Sequence, residues 1–281
     1  MTVSSLATAV EPPAPVWKIT ERIAAPSHAL YDADTQTIFV SQISGEGDEK
    51  DGIGVISRIS VAGKMQDSDW VNRLDAPKGL ARTGKTLWVS DIDRVHEIDI
   101  ATGEIPRCHE IPGARFLTGV AARRDGRVYV ADMLTSTIHA LHEGRPTVFQ
   151  QGGFLESPAG LCVDQNRLVV AAWGLTTDYT TKVPGKFYLL DGRTPQALSN
   201  PLGNLYGVVS DGARGWIGSD FSSGRIFHLT EQREPRVLLE LEAGVGGIEF
   251  IREQNLLIVP ELTANRISAY DLSHQLKPKS Q

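Results

Sequence analysis

The chain has 281 residues, 41% hydrophobic and 22% charged, with a formal charge of −6. That is the composition of a globular protein; the acidic balance, with no basic block, argues against a nucleic-acid partner, and no run approaches the ~18 apolar residues of a membrane-spanning helix. The two cysteines, Cys108 and Cys162, form no CxxC, which argues against a disulfide framework and a cysteine zinc site.

In chain order, residues 1–15 (MTVSSLATAVEPPAP) lack the basic start of a signal peptide and read as a flexible Pro-rich leader, with the cytoplasm as the expected compartment. VWKITER, Val16 to Arg22, reads as a strand with no partner of its own. The stretch HALYDADTQTIFVSQI (His28 to Ile43) is then echoed by KGLARTGKTLWVSDID from Lys78, TGVAARRDGRVYVADM from Thr118 and AGLCVDQNRLVVAAWG from Ala159. Further copies are NLYGVVSDGARGWIGSD from Asn204 and GGIEFIREQNLLIVPEL from Gly246. Gly79, Gly119, Gly160, Gly207 and Gly247 anchor the copies at separations of 40, 41, 47 and 40 residues, and Ala29 takes the glycine slot of the first. A period of roughly 40–45 residues with several strands per unit is the signature of a propeller blade.

Each copy continues into a third strand, such as VHEIDI or RIFHLT, with polar and apolar residues alternating as in a half-buried strand. A fourth strand follows in most copies, but after RISAYDL only the polar tail of residues 273–281 remains. VWKITER is therefore expected to complete the sixth blade and close the ring, which removes exposed sheet edges. The predicted fold is all-β: one six-bladed β-propeller of four-stranded antiparallel blades over residues 16–272. The turns RTGK, RRDG and SDGARG join strands and carry no phosphate-loop pattern.

Asp91, Asp132 and Asp220 end second strands, with Glu261 and Gln42 in the same slot. An Asp at a strand end caps backbone N–H groups of the adjoining turn; the three aspartates are also candidate substrate-binding groups, and Glu261, after Pro260, a candidate acid or base. Propeller geometry puts the residue before each anchor glycine on the rim of the central mouth. The occupants read His28, Lys78, Thr118, Ala159, Tyr206 and Gly246.

The blades APKGLA…LWVSDIDRVHEID, FLTGVA…VYVAD, SPAGLCVDQNRLVVAAWG and NLYGVVSDGARGWIGSD resemble the senescence marker protein/gluconolactonase (regucalcin-like) family, in particular its bacterial branch, over residues 23–272. The resemblance implies an axial divalent metal and hydrolysis of sugar lactones. The implied ligands are a glutamate on the first inner strand, asparagines before two anchor glycines and an aspartate before another. The corresponding positions here hold Ser27 (or His28), Thr118, Ala159 and Tyr206, with no carboxylate or asparagine among them. Calcium takes six to eight oxygens, several of them charged, so no metal or other cofactor is expected.

One reading makes Tyr206 a plug in an axis that has lost its ion. The other makes Tyr206, Lys78 and His28 hydrogen-bond donors or proton carriers of a metal-free site, with Thr118 at their side. Strictosidine synthase, which this chain resembles in fold, uses no metal and relies on a sixth-blade glutamate; Glu261 lies in that blade. Two long connections, SGEGDEKDGIG (Ser44 to Gly54) and GLTTDYTTKVPGK (Gly174 to Lys186), fall on the mouth face, where loops over a rigid scaffold commonly carry function. Trp173 and Tyr179 are expected to give the second an apolar underside. The expected partner is a small molecule, handled by acid/base chemistry of the isomerase, cyclase or lyase type. The alternatives are a metal-dependent lactonase and a non-catalytic binding propeller.

Overall fold

A computed structural model describes residues 14–276 apart from 166, 192 and 193. Six four-stranded antiparallel sheets form the ring. In the first five, chain order runs outward from the axis, and the inner strands are Pro26–Asp32, Pro77–Thr83, Leu117–Ala122, Pro158–Asp164 and Leu205–Ser210. The sixth sheet holds Glu249–Ile251, Leu256–Glu261 and Arg266–Asp271. Its outer strand is Trp17–Ile19, with Trp17 opposite Ala269 and Ile19 opposite Ile267. The N-terminal strand thus closes the ring as the truncated sixth repeat implied. Residues 1–13 of the expected leader and 277–281 of the expected tail lie outside the described residues. Two 3-10 turns, Gly153–Leu155 and Arg252–Gln254, are the only helical segments described, and among the described residues no helix is long and apolar enough to cross a membrane.

The strands are apolar on both faces because each blade is sandwiched between two others. Six apolar layers result, one per blade junction. Between blades one and two, Phe39, Ile56, Leu80, Leu87 and Ile98 interlock. Across the closing seam Ile38 and Ile59 meet Ile258 and Ile267, flanked by Trp17, whose indole N–H donates to the Val61 carbonyl at 2.9 Å. Each fully buried side chain of this size contributes about 1.5–3 kcal/mol, so the seam is held by packing as well as by backbone pairing.

At the hub the inner strands come so close that a methyl group on Gly79, Gly119 or Gly160 would run into the carbonyl oxygen of Thr118, Ala159 or Tyr206 on the next blade. Second-strand serines bind the hub together. Ser219 Oγ accepts the Gly207 N–H at 2.8 Å and donates to the Gly246 carbonyl at 2.8 Å; Ser90 does the same between Gly79 and Thr118, and Ser41 reaches the Lys78 carbonyl.

Strand register corrects one sequence reading. In blade three Leu117 opposes Asp132 and Val120 opposes Val130; in blade one Pro26 opposes Gln42, His28 opposes Ser41 and Ala29 opposes Val40. Ser27 is therefore the rim residue and His28, not Ala29, stands in the glycine slot. A histidine fits there because its ring lies directly over Gly247, which has no side chain to obstruct it.

Candidate functional site

The inner strands begin at the mouth, so the rim is Ser27, Lys78, Thr118, Ala159, Tyr206 and Gly246, all buried. The two long connections cover it. They come from blades one and four, on opposite sides of the ring, and meet where Tyr179 Oη donates to Asp48 at 2.9 Å. Tyr179 has φ +69°, a left-handed conformation that strains a bulky residue and persists only where its surroundings fix it. Its ring stands edge-on to Phe116, with centroids 5.1 Å apart.

Lys78 lies beneath this cover. Its Nζ donates to the Gly47 carbonyl of the first connection at 2.6 Å and to the Ala76 carbonyl at 3.0 Å, and sits 4.3 Å from the centre of the Phe116 ring. No carboxylate pairs with it among the described residues. Burial pushes the amine down to about 8, partly offset by the charges of Asp91 and Asp48.

Tyr206 lies in an aromatic group with Trp173 and Phe221, at centroid distances of 6.4 and 6.0 Å, and Trp173 and Phe221 are 5.4 Å apart. Its phenol shares a 3.1 Å hydrogen bond with Ser27 Oγ, and burial raises its pKa. The Trp173 indole N–H is buried with no acceptor among the described residues. An orphaned buried donor costs about 1–3 kcal/mol, so the wall carries an unmet demand for an oxygen. Phe116 and Phe221 are absent from the sequence-based candidates, and Ser27 stands there only as an alternative to His28 at an implied ligand position. Phe116 and Phe221 adjoin the blade-entry and strand-end positions of Thr118 and Asp220, and that adjacency was the available signal.

The strand-end acids are placed differently. Asp91 accepts the Asp75 and Ala76 N–H groups at 2.9 and 2.6 Å, and His96 Nε2 lies 3.1 Å away. Asp132 accepts from Arg115 and Phe116 at 2.9 and 3.1 Å, and Asp220 from Asn204 and Ser222 at 3.0 and 3.1 Å. These carboxylates chiefly fix the segment that enters their own inner strand, not only the turn that follows. Asp132 thereby holds Phe116 under Tyr179. Glu261 is gripped by Arg266 and accepts Ser268 Oγ–H at 2.6 Å, on the third-strand side of its blade. His28 is not at the mouth either: its ring faces the opposite half of the bore. The structure thus brings Lys78, Tyr206, Thr118, Trp173 and Tyr179 to the mouth and leaves His28 and Glu261 elsewhere, while Lys78 and Tyr206 share no hydrogen bond.

A divalent metal at the axial position that the sequence resemblance implies would meet the Ser27 and Thr118 hydroxyls, the Ala159 methyl and the Tyr206 phenol. None is a carboxylate, Ser27 and Tyr206 bond each other, and a hard cation takes several charged oxygens. Among the described residues no group of three His, Cys, Asp or Glu is arranged to hold a metal. This donor set does not fit one.

Neither a protein-family profile nor a curated protein matches the sequence. Solved structures do match its fold. An inactive variant of virginiamycin B lyase from Staphylococcus aureus, crystallised with quinupristin, aligns over 90% of this chain and 97% of its own at 13% identity and TM-score 0.62. A streptogramin B lyase aligns over 90% and 95% at 10% identity and TM-score 0.63. A chain of a nidogen/laminin complex covers 72% of this one and 74% of itself, at 17% identity and TM-score 0.57. At such identities the likeness is one of fold: a β-propeller that serves catalysis in some proteins and protein association in others.

Proposed function

We propose that the covered mouth is the site of a small-molecule enzyme on a gluconolactonase-like propeller, working by metal-independent acid/base chemistry of the isomerase, cyclase or lyase type. The observation that carries this reading is the Lys78 amine, enclosed beneath two meeting loops without a carboxylate partner. With its pKa near 8, a useful fraction is neutral and able to take a proton. The Tyr206 phenol is pushed the other way and stays protonated, so the two groups divide into base and acid. The unpaired Trp173 N–H suits a carbonyl or carboxylate oxygen of the substrate. The lyase activity named for two fold neighbours is of the same broad class.

The test is a turnover screen in chelator against small lactones, hydroxy acids and carbonyl compounds with a β leaving group. Lys78→Met is expected to lower kcat/KM roughly 10²–10⁴-fold, the range of general acid–base catalysis, and Tyr206→Phe by about tenfold or more. Loss of turnover in chelator, restored by one equivalent of a divalent ion, would contradict the proposal in favour of a lactonase.

A further inference from the structure

The other half of the bore holds a cavity of about 290 Å³. All six inner strands line it, and it opens on the face opposite the mouth, where Arg82, Ala122, Val163 and Ser210 reach the strand ends. The repeat gives its wall equivalent positions on every blade. One residue past the glycine slot stand Ala29, Leu80, Val120, Leu161, Val208 and Ile248. Two past it stand Leu30, Ala81, Ala121, Cys162, Val209 and Glu249. In the slot itself stand five glycines and His28. The inner wall therefore breaks its small or apolar pattern twice, at His28 and at Glu249, and both breaks fall on the adjoining blades one and six.

These two side chains share one space. His28 bridges to Gly247 across the blade junction, with its ring stacked on that glycine. Glu249, two residues beyond Gly247, opens the inner strand of blade six and lines the same cavity as His28. Neither is neutralised. The imidazole has no hydrogen-bond or ion-pair partner among the described residues. Glu249 accepts the backbone N–H of Phe250 at 2.9 Å and that of Tyr31, and among the described residues no cation pairs with it. Burial pushes His28 down to about 4 and Glu249 up to about 7, so both are held toward their uncharged forms. The remaining titratable or charged wall groups are Arg82, already bound to Asp32 and Asp34, and Cys162, whose thiol burial raises to about 12.

The geometry points to a second ligand site here, for a small amine with an apolar body. Its ammonium group would donate to the Glu249 carboxylate and to the neutral His28 ring, while its hydrocarbon part fills the space between Leu30, Leu80, Leu161 and Val208. An ammonium group beside Glu249 would favour the ionised form of its carboxyl, as a nearby opposite charge does. An anion would find no free positive charge, since the arginine on the wall is already paired. This site is independent of the proposal for the mouth.

The test is calorimetric titration of the full chain at neutral pH with n-hexylamine, n-hexanol and n-hexanoate, which share a body and differ in head group. Hexylamine is expected to bind at one site at least tenfold more tightly than the other two. Glu249→Gln should abolish that preference, and His28→Ala should weaken it severalfold. Thermal melting of each variant confirms that it is folded, and Lys78→Met should leave hexylamine binding unchanged. Equal binding of hexanol and hexylamine, tighter binding of hexanoate, or an unaltered preference in folded Glu249→Gln would each overturn the proposal.

Discussion

The two halves of the bore are made from the same six strands, yet they solve the problem of a propeller's axis differently. The mouth half is closed: two connections latch over it, aromatic rings fill it, and the buried Lys78 amine is wrapped by carbonyl oxygens and a phenyl face. The far half is open and aliphatic, with a lone imidazole and a lone carboxyl on its wall. The lesson is that a repeat fixes the backbone at each position while leaving side-chain chemistry free. The positions at which one blade departs from its siblings are therefore the informative ones.

The sharpest way to break the mouth is to remove its central ring. Phe116 supports both Lys78 and Tyr179, and Phe116→Ala should cost about 3 kcal/mol in urea denaturation, as large-to-small core substitutions do. It should also expose the Lys78 amine to acylating reagents. A loss below 1 kcal/mol with Lys78 still protected would mean that the two connections hold without it.

At the waist between the halves, Gly247→Ala would drive a methyl group into the His28 ring, at a cost of about 2 kcal/mol typical of overpacking. Adding His28→Gly should recover most of that loss. Additive effects of the two changes would show that the ring is not where the clash arises.

The far half should reveal itself in pH dependence. Glu249 has its pKa raised to about 7 in the folded chain from 4.5, so the stability linked to its proton is fully present below about pH 4.5 and lost as pH rises through 7. Glu249→Gln lacks this loss. Its melting temperature relative to the parent should climb between pH 4.5 and 7 and then level off, by an amount worth about 1 kcal/mol for a half-buried group. His28, whose pKa is lowered, loses stability as pH falls from 6.5 toward 4, but it does so in both proteins and cancels from the difference. A flat difference would contradict the account of the cavity.

The smallest effect belongs to the latch. Tyr179→Phe removes the exposed hydrogen bond to Asp48 and should cost about 0.5 kcal/mol, while amide exchange in both connections accelerates. Acceleration in only one would show that they do not depend on each other.

Much of the ring was legible because anchor glycines and a missing sixth outer strand are features of spacing, and spacing survives without side-chain detail. Blade one was misread for a physical reason. Alanine is the more glycine-like residue, so Ala29 looked right for the slot, but what admits a residue there is the room left by the neighbouring blade, and Gly247 leaves room for an imidazole. The two connections were visible as extra length on the mouth face. Their meeting was not, because Asp48 and Tyr179 are 131 residues apart and neither belongs to the repeat. Glu249 stands two places after its anchor glycine, away from the rim positions before the glycines where an axial ion would bind, so the rim pattern does not point to it. Aligning the residues two places after them sets one carboxyl against Leu30, Ala81, Ala121, Cys162 and Val209.

The central claim is that the mouth encloses a proton-accepting amine. The most direct measurement is the pH profile of Lys78 acylation, followed by peptide mass spectrometry on the folded chain. The account predicts half-maximal reactivity at about pH 8. A profile rising only above pH 10, like that of an ordinary surface lysine, would contradict it.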